Sequence, residues 1–379
     1  MRVALVHDDL IQFGGAENLL LALHEIWPEA PIYTAVASRK WKKICKDKKI
    51  DLRTSFMQNL PFSVQLNRYY APFLIHPLAF ESFDFSGFDL VISSSARYAH
   101  GIITKPETLH ICYMNSPGRM FWEPSRYFED ETYGLLKPFK FLARPFLSLP
   151  LSYLREWDYI AAQRPDYFIA NSTSARERIK KYYGREAEVI YPFVDYEKFS
   201  RHEFVLGDYY IVLTRLAYWK KVDLAIEACN KLKLNLKIIS EGPALAYLKK
   251  IAGPTIEFLG YVDDEKRNII LSGVRALINT QEEDFGIVPL EAMASGKPVI
   301  AFGKGGAVET VIPGKTGEFF YEQSSDALIS LLTAFHPEKY DPEMCREQAK
   351  RFEKSVFTAK IKETVSELWL QRKQKLQSA

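Results

Sequence analysis

The sequence is short of cysteine and has no long apolar run, and each absence excludes a class of protein. Its four cysteines, Cys45, Cys112, Cys229 and Cys345, lie far apart and show no CxxC spacing. That distribution argues against a zinc site or a disulfide framework and fits a reducing compartment. No stretch is apolar for the roughly 18 residues that a membrane-spanning helix needs, and the start "MRVALVHDD" lacks a signal-peptide pattern. We therefore expect a cytoplasmic protein.

The sequence also has little net charge, only +3, and we expect no nucleic-acid partner. Two segments are nevertheless basic: residues 39–49, "RKWKKICKDKK", and residues 137–157, which mix Lys and Arg with Phe, Leu and Trp. Basic residues interleaved with bulky apolar ones suit an anionic membrane surface. The structural alternative is a solvated charge run beside a buried helix. Both interpretations stay open for 137–157, where a peripheral position on the inner face of the cell membrane is a hypothesis; the structural alternative is favoured for 39–49.

Short apolar runs alternate with helical patterns along the whole chain. The runs that predict buried strands are, in order, "RVALVHD", "DLVISSS", "TLHICYMN", "DYFIANS", "AEVIYPF", "YYIVLTRL", "LNLKIIS", "TIEFLGYV", "VRALINT" and "PVIAFG". Strand–helix alternation is typical of an α/β fold whose parallel sheets are covered on both faces. In such sheets ligands bind outside the carboxyl ends of the strands, so the loops that follow strands are the places to search.

The alternation lapses over residues 191–208, a polar and turn-rich stretch. At about 150 residues per domain, the chain has room for two domains. We predict an N-terminal Rossmann-like domain over 1–195 and a C-terminal one over 196–345, facing each other across a cleft. The amphipathic tail, 346–379, is predicted to be helical and to cross back to the N-terminal domain, since no strand follows it.

Two loops that follow predicted strands carry glycine or basic residues. The first holds Gly14 and Gly15 directly before a predicted helix, where free backbone amides attract anions and glycine permits close approach. Most such pairs are only turns, and this one is not a GxGxxG, so a dinucleotide site is disfavoured. The second places Arg215 and Lys220 before a helix, where cations oppose the helix dipole unless an anion offsets the cost. We favour a diphosphate clamp there over ordinary surface charge.

The third loop, "EEDFG", leads into an apolar helix pattern. Glu283 lies in the loop, and Pro289 and Glu291 fall in the predicted first helical turn. As purely structural residues, Glu291 would favour the helix dipole and Glu283 would be a solvated loop acid. A carboxylate repels a phosphate, so acids beside such a site suit hydrogen bonds from sugar hydroxyls instead. Three amides near the helix start form a second anion cradle: Gly286, Ile287 and Val288.

Glu283 and Glu291 are separated by seven residues. This E-x7-E spacing and the flanking "DFGIVPLEAMASGKPVIA" resemble the retaining glycosyltransferases of family 4, which have the GT-B fold. The spacing alone is unspecific, but further elements match that family in order and spacing: "TRLAYWKKVDLAIEA", "SEGP", "FLGYVDDEKR" and "GKGGAVETVIPGKTGEFF". "GGAE" near the N-terminus resembles the family's acceptor-side glycine loop.

A narrower likeness concerns the acceptor. "HICYMNSPGRMFWE" and "EEDFGIVPLEA" resemble bacterial family members that build lipopolysaccharide or exopolysaccharide, many of them mannosyltransferases using GDP-mannose. The resemblance therefore implies transfer of a hexose, with mannose from GDP-mannose favoured, to a lipid-linked oligosaccharide acceptor. Asn115 and Ala96 stand where those enzymes often have His, so the way in which the acceptor is held is expected to differ.

On the donor side, the resemblance implies that Arg215 and Lys220 neutralise the diphosphate as the glycosidic bond breaks. Glu283 would bind the hydroxyls of the donor sugar, and Glu291 those of the ribose. Four residues of the third loop would add amide or packing contacts to the donor: Phe285, Gly286, Ile287 and Val288. The nucleotide base is expected near Glu241, Tyr261 and Val262.

On the acceptor side, the resemblance implies that Gly14 and Gly15 lie near the pyrophosphate and the acceptor. Three further candidates are His100, Asn115 and Arg119. For His100, a partly buried histidine that follows a strand is an equal alternative. For Arg119, the alternative is an ion pair with Glu123, one turn further along.

The family retains anomeric configuration, which implies front-face substitution in which the leaving phosphate takes the acceptor proton. Neither a metal ion nor another cofactor is expected, and no DxD lies in a suitable loop. A glycosidase with two carboxylates is disfavoured, because a phosphate clamp has no use in the hydrolysis of an ordinary glycoside. Three alternatives stay open: a UDP-sugar-dependent transferase of the same family, a sugar-nucleotide epimerase, and a non-catalytic nucleotide-sugar binder.

Overall fold

The structure is a computed structural model that describes residues 1–70, 74–123, 140–202 and 205–378. Over these residues the chain divides into two compact units, one formed by 1–191 with 357–378 and the other by 192–356. None of the described helices is long and apolar enough to cross a membrane. The basic side chains Lys137, Lys140 and Arg144 of the segment 137–157 lie outside that description.

The first unit is built on a seven-stranded parallel sheet in the order β3-β2-β1-β4-β5-β6-β7. Its strands are β1 Val3–His7, β2 Ile32–Thr34, β3 Leu52–Thr54, β4 Leu90–Ser95, β5 Leu109–Met114, β6 Tyr167–Ala170 and β7 Ala187–Val189. Its helices are α1 Gly15–Ile26, α2 Arg39–Asp47, α3 Asn67–Tyr70, α4 Ile75–Glu81, α5 Arg119–Trp122, α6 Lys140–Ala161 and α7 Thr173–Tyr183. Every residue of β1, β4 and β5 is buried, as expected for strands that lie between two helix layers.

The second unit holds a six-stranded parallel sheet in the order β10-β9-β8-β11-β12-β13. Its strands are β8 Tyr209–Leu213, β9 Asn235–Ile239, β10 Ile256–Gly260, β11 Leu277–Asn279, β12 Val299–Phe302 and β13 Gly317–Phe320. Its helices are α8 Tyr196–Ser200, α9 Val222–Leu232, α10 Leu245–Ile251, α11 Asp264–Ser272, α12 Ile287–Ala294, α13 Ala307–Thr310, α14 Ser325–Ala334 and α15 Pro342–Lys350. Val212, Ile238, Ile278 and Ile300 are each at most 1% exposed. Burial of such a side chain stabilises the fold by about 1.5–3 kcal/mol.

The last helix, α16, spans Lys354–Ser378, and its residues from 357 onward belong to the first unit. Phe357, Ile361 and Val365 are buried, and their spacing of four places them on one face of the helix. Near its end, Nη1 of Arg372 lies 3.2 Å from Oδ1 of Asp166, just before β6. A second ion pair joins Lys360 of the helix to Glu188 of β7 over 3.7 Å, so apolar burial and two ion pairs hold this helix on the first unit.

All ten strands predicted from apolar runs are present, and the sequence patterns missed three others: β2, β3 and β13. Because every strand pairing is parallel, the carboxyl ends of neighbouring strands meet at one edge of each sheet. The three loops singled out from sequence follow β1, β8 and β11 at those edges.

Candidate functional site

The centre of the candidate site is a contact between Lys220 and Glu283 in the second unit. Lys220 ends a 3-10 turn, Tyr218–Lys220, after β8, and Glu283 lies in the loop that follows β11. The Lys220 ammonium donates to Oε1 of Glu283 and lies 4.0 Å from the centre of the Trp219 ring. Lys220 is only 6% exposed, so its charge has little water to solvate it and depends on these two partners.

The backbone around Lys220 is fixed by the neighbouring strand. The hydroxyl of Thr280, which directly follows β11, donates to the carbonyl of Lys220 over 2.8 Å. The next residue, Lys221, has the left-handed φ of +52° and directly precedes α9. A non-glycine residue in that region costs free energy and persists only where its surroundings hold it. The tight turn therefore directs the Lys220 side chain toward the carboxyl edge of the sheet.

Glycines behind the Glu283 loop allow it to pack against a second loop. The amide of Gly306 donates to the carbonyl of Glu283 over 2.9 Å. A Cβ at Gly305 would overlap that carbonyl, and one at Gly306 would overlap the carbonyl of Phe285. Phe285 itself is buried. Gly305 and Gly306 of the "GKGG" element therefore have to lack a side chain, because the Glu283 loop packs directly against them.

The start of α12 adjoins the Glu283 carboxylate. Gly286 precedes the helix with φ +83°, and a Cβ there would come within 3.0 Å of Oε2 of Glu283. Ile287 and Val288 form the first turn, where backbone amides have no partner within the helix. A ligand at this edge would therefore meet an ammonium, a carboxylate and helix-start amides together.

Glu291 lies further into α12 than the sequence predicted. The helix begins at Ile287, so Glu291 is its fifth residue, and the prediction that it occupies the first turn is wrong. Its Oε1 lies 3.8 Å from Nη2 of Arg267 on α11. Burial raises the pKa of Glu291, although Arg267 and Lys198 oppose the change. Its Oε2 is buried and finds no hydrogen-bond partner among the described residues, so this carboxylate has an acceptor position to offer.

Arg215 and Glu241 lie on loops at the same edge. Arg215 follows β8 and is exposed, and it forms no ion pair with the described residues of the protein. The carbonyl of Glu241, after β9, accepts from the amide of Leu216 over 3.0 Å. This backbone hydrogen bond connects the loop after β8, which carries Arg215, to the loop after β9.

The predicted base-binding residues also adjoin the β9 loop. A Cβ at Gly260 would lie 3.7 Å from Oε1 of Glu241, so the Glu241 side chain reaches the end of β10. Tyr261 is 79% exposed there, whereas Val262 is buried. Ser240, directly before Glu241, has φ +112°, a strained backbone conformation of the kind found at functional sites.

In the first unit, the predicted acceptor-side residues also lie near the carboxyl edge. Gly14 is the residue before α1, and a Cβ on it would come within 3.1 Å of the buried Glu17 carboxylate. Gly15 is the first residue of α1. The Asn115 amide donates over 3.2 Å to the hydroxyl of Ser94 at the end of β4. The hydrogen bond to Ser94 fixes the position of the Asn115 side chain.

Arg119 and His100 lie in different surroundings. Arg119 is half-buried and begins α5; the Glu123 carboxylate lies 3.4 Å from Nε of Arg178. His100 is completely buried, with Nε2 at 3.3 Å from Oδ1 of Asp158. Tyr183 and Trp122 donate to the other oxygen of Asp158. His100 therefore belongs to a polar network inside the first unit, which favours the structural alternative for this residue.

Sequence reasoning missed the role of Asp8 at the carboxyl end of β1. Its carboxylate accepts four backbone amides over 2.6–3.0 Å, from Ala96, Arg97, Tyr98 and Ala99. Burial opposes ionisation, but Arg97, His7 and these amides outweigh it and lower the pKa of Asp8. The signal available in the sequence was the acid directly after the first apolar run, in "HDD" at residues 7–9. Across the described ranges, no group of three or more His, Cys, Asp or Glu residues could hold a metal ion.

Residues 197–352 match the family model described as Glycosyl transferases group 1. This stretch includes Arg215, Lys220, Glu283 and Glu291. The match therefore covers the part of the chain in which Lys220 and Glu283 meet.

Curated relatives align over part of their length. The α-1,3/1,6-mannosyltransferase ALG2 of Candida glabrata is 25% identical over 202 residues, which are 39% of this chain and 44% of that protein. The sulfoquinovosyl transferase SQD2 of Arabidopsis thaliana is 29% identical over 175 residues, 43% of this chain and 34% of that protein. This chain thus spans less than half the length of these relatives.

Solved structures align over almost the whole chain. HepE of Anabaena, crystallised in complex with UDP, has a TM-score of 0.69 at 18% identity and covers 97% of this chain and 100% of its own. Sucrose-phosphate synthase of Thermosynechococcus elongatus has a TM-score of 0.72 at 12% identity, covering 98% of this chain and 100% of its own. Together with the two parallel sheets, this likeness confirms the predicted α/β class and GT-B fold.

Proposed function

We propose that this protein is a retaining glycosyltransferase that moves a hexose from a nucleotide sugar to a lipid-linked glycan acceptor in bacterial surface polysaccharide synthesis. The observation that carries the proposal is the contact between Lys220 and Glu283. It joins a cation suited to a diphosphate with a carboxylate suited to sugar hydroxyls, within the region that matches group 1 glycosyl transferases. A buried ammonium beside a carboxylate is poised to exchange that partner for a more highly charged anion.

In the proposed reaction, Lys220 turns from Glu283 to the diphosphate, and the exposed Arg215 closes on the same group. The amides of Gly286, Ile287 and Val288 add dipoles at the helix start. The bond between the anomeric carbon and the phosphate oxygen breaks, and the bond to the acceptor oxygen forms on the same face. The acceptor proton passes to the leaving phosphate. Cationic side chains at the diphosphate stabilise the charge that develops there, so we expect activity to survive chelation of metal ions.

The two glutamates have separate roles in this proposal. Glu283, released from Lys220, accepts hydrogen bonds from the donor sugar. Glu291 offers its unsatisfied Oε2 to the ribose hydroxyls, and Arg267 opposes the rise in its pKa that burial causes. Glu241 and Tyr261 are proposed to contact the base. On the acceptor side, we propose Gly14, Gly15, Asn115 and Arg119 as binding residues.

GDP-mannose is the favoured donor, and relatives named as mannosyltransferases support mannose as the transferred sugar. A uridine nucleotide is the alternative within the same reaction class, supported by HepE, whose structures contain UDP and UDP-glucose. Thermal shift with GDP-mannose, UDP-glucose, UDP-galactose and UDP-N-acetylglucosamine separates the two. Selective stabilisation by a uridine nucleotide would keep the transferase proposal and remove mannose from it.

Turnover tests the reaction class itself. With labelled donor and a lipid-linked glycan acceptor, Lys220→Ala is expected to abolish transfer while its circular dichroism spectrum stays that of the wild type. Lys266→Ala, an exposed lysine of the same unit, is the matched control and should transfer normally. Conversion of the nucleotide sugar without acceptor would indicate an epimerase, and binding without turnover a non-catalytic binder. Normal transfer by Lys220→Ala would contradict the site assignment.

A further inference from the structure

The carboxylate of Glu291 is largely buried in the second unit and has one cation beside it. Its side chain is 14% exposed, and Oε1 lies 3.8 Å from Nη2 of Arg267 on α11. Among the described residues, no other cation forms an ion pair with this carboxylate. Burial of an ionised carboxylate is costly unless a counter-charge accompanies it, so Arg267 is the counter-charge on which Glu291 depends.

Glu291 is not fastened by hydrogen bonds within the described part of the protein. Its separation of 3.8 Å from Arg267 exceeds the length of a hydrogen bond, and its Oε2 finds no hydrogen-bond partner there. A buried carboxylate that only joined helices together would be expected to have its oxygens satisfied, since an unsatisfied buried acceptor costs free energy. The arrangement favours a carboxylate that is charged but left free to accept hydrogen bonds from a ligand.

The guanidinium of Arg267 is held by α8. Its Cζ lies 5.3 Å from the centre of the Phe199 ring, and Phe199 is buried. Asn268, the next residue of α11, donates its side-chain amide to the carbonyl of Lys198 over 3.1 Å. A cation on an aromatic face is attracted to the ring, so this contact and the hydrogen bond between the two helices limit the positions that the Arg267 side chain can take.

A second carboxylate near Arg267 has a cation of its own. Oδ1 of Asp264 lies 3.4 Å from Nη2 of Arg267, but its Oδ2 accepts a hydrogen bond from the Lys198 ammonium. That hydrogen bond is the main reason why the pKa of Asp264 is lowered, and Arg267 contributes less. Asp264 is also 65% exposed, so water solvates it. The charge of Arg267 is therefore available to Glu291, which has neither a hydrogen-bonded lysine nor much water.

We propose that Arg267 is a positioning residue of the donor site, which holds the Glu291 carboxylate so that Oε2 accepts hydrogen bonds from the ribose 2′- and 3′-hydroxyls and thereby makes the site selective for ribonucleotides. An ionised acceptor forms a stronger hydrogen bond than a neutral one. A site built to bind a hydroxyl leaves its own polar group unpaired when that hydroxyl is missing. The inference rests on the proposed function through the assignment of Glu291 to the ribose.

Isothermal titration of the full chain with nucleotides and their dideoxy analogues tests the proposal. The ligands are GDP, UDP, 2′,3′-dideoxy-GDP and 2′,3′-dideoxy-UDP. The quantity compared is the selectivity ratio, which is the Kd of the dideoxy form divided by the Kd of the ribo form for the same protein. For the base that binds, we expect a selectivity ratio of at least roughly tenfold in the wild type.

Substitutions of Arg267 should change the selectivity ratio. Arg267→Met removes the charge but keeps a long side chain over Phe199, and it should lower the ratio to less than roughly threefold while the dideoxy nucleotide binds as it does to the wild type. Arg267→Lys restores a cation and should recover part of the ratio. The matched control is Arg275→Met, since Arg275 of the same unit is also half-buried and lies 5.9 Å from the centre of the Tyr210 ring. It should keep the ratio of the wild type.

A double substitution shows whether Arg267 acts through Glu291. Glu291→Gln alone should lower the selectivity ratio, and the addition of Arg267→Met should lower it no further. A purely structural role of Arg267 would instead weaken the binding of ribo and dideoxy nucleotides by the same factor, with or without Glu291→Gln. If Arg267→Met does not fold, Arg267→Gln takes its place in both comparisons.

The results that would overturn the inference also show what happens to the transferase proposal. A wild-type selectivity ratio in the Arg267→Met protein would overturn the inference and leave that proposal intact. A wild type that binds a nucleotide without selectivity would overturn the inference and separate Glu291 from the ribose, whereas turnover by the wild type and by Lys220→Ala would still test the reaction. If neither GDP nor UDP bound, the proposed donor site would be contradicted and the inference with it.

Discussion

The ammonium of Lys220 and the carboxylate of Glu283 are in direct contact, although the two residues lie 63 positions apart. Their side chains are 8% and 21% exposed, so the pair is largely shielded from water. Each charge is therefore compensated by the other in the ligand-free protein, and the same two groups are the ones that a nucleotide sugar would separate.

This contact predicts a coupling that is measurable without substrate. Glu283→Gln keeps the shape of the side chain but leaves the buried ammonium without its counter-charge, which should lower the free energy of unfolding by on the order of 3 kcal/mol. Lys220→Met combined with Glu283→Gln should recover most of that loss, since neither charge remains. Urea denaturation of the single and double variants measures the coupling. Additive effects would mean that the pair contributes nothing in solution.

The buried Glu291 predicts a dependence of stability on pH. Its pKa in the folded protein is raised above the ordinary 4.5 by burial, so the folded state binds its proton more tightly than the unfolded state. The contribution of this group is therefore favourable below about pH 4.5 and is lost as pH rises through the raised value. Relative to Glu291→Gln, the wild type should lose unfolding free energy over that window, as measured by denaturation at a series of pH values.

A control variant at an exposed carboxylate separates the effect of burial from the effect of removing one negative charge. Glu257 is an exposed carboxylate of the same unit, and Glu257→Gln should change the unfolding free energy by less than roughly 0.5 kcal/mol. If Glu291→Gln behaved like this control, the carboxylate would not be buried in solution.

Asp8 predicts a stability effect with the opposite pH dependence. Asn at this position has one acceptor oxygen in place of two and directs an NH2 group at backbone amides, so Asp8→Asn should cost about 3 kcal/mol or more. Because the pKa of Asp8 is lowered from the ordinary 3.8, its contribution is present above that value and is lost as pH falls through the folded pKa. Asp47→Asn, at an exposed position, should be nearly neutral in the same urea titration.

Gly306 predicts a steric effect on the donor site. Gly306→Ala would place a methyl group into the carbonyl of Phe285, so the loop that carries Glu283 would have to move. We expect a lower melting temperature and at least a roughly tenfold weaker response to nucleotide sugars, since overpacking of this kind costs about 1–3 kcal/mol. Gly87→Ala is the control, because nothing lies within 4 Å of a Cβ there. Equal donor binding by both variants would contradict the loop contact.

By itself, the sequence determined the fold class and the region of the candidate site. The apolar runs of β1, β4 and β8 are continuous because both faces of a parallel sheet are buried, and such runs are visible in the chain itself. The order of "TRLAYWKK", "EEDFG" and "GKGG" placed the candidate residues after strands, where parallel sheets bind ligands. The sequence patterns did not predict β2, β3 and β13.

Only the tertiary structure decided which groups surround each charged or polar side chain. It paired Lys220 with Glu283, enclosed His100, and surrounded the Asp8 carboxylate with amides from a segment about 90 positions away. It also moved Glu291 out of the first helical turn and placed four cations, Arg39, Lys42, Lys43 and Lys46, on one side of α2. Local patterns report the neighbours of a residue along the chain, whereas the burial of a charge depends on groups that the fold brings from distant segments.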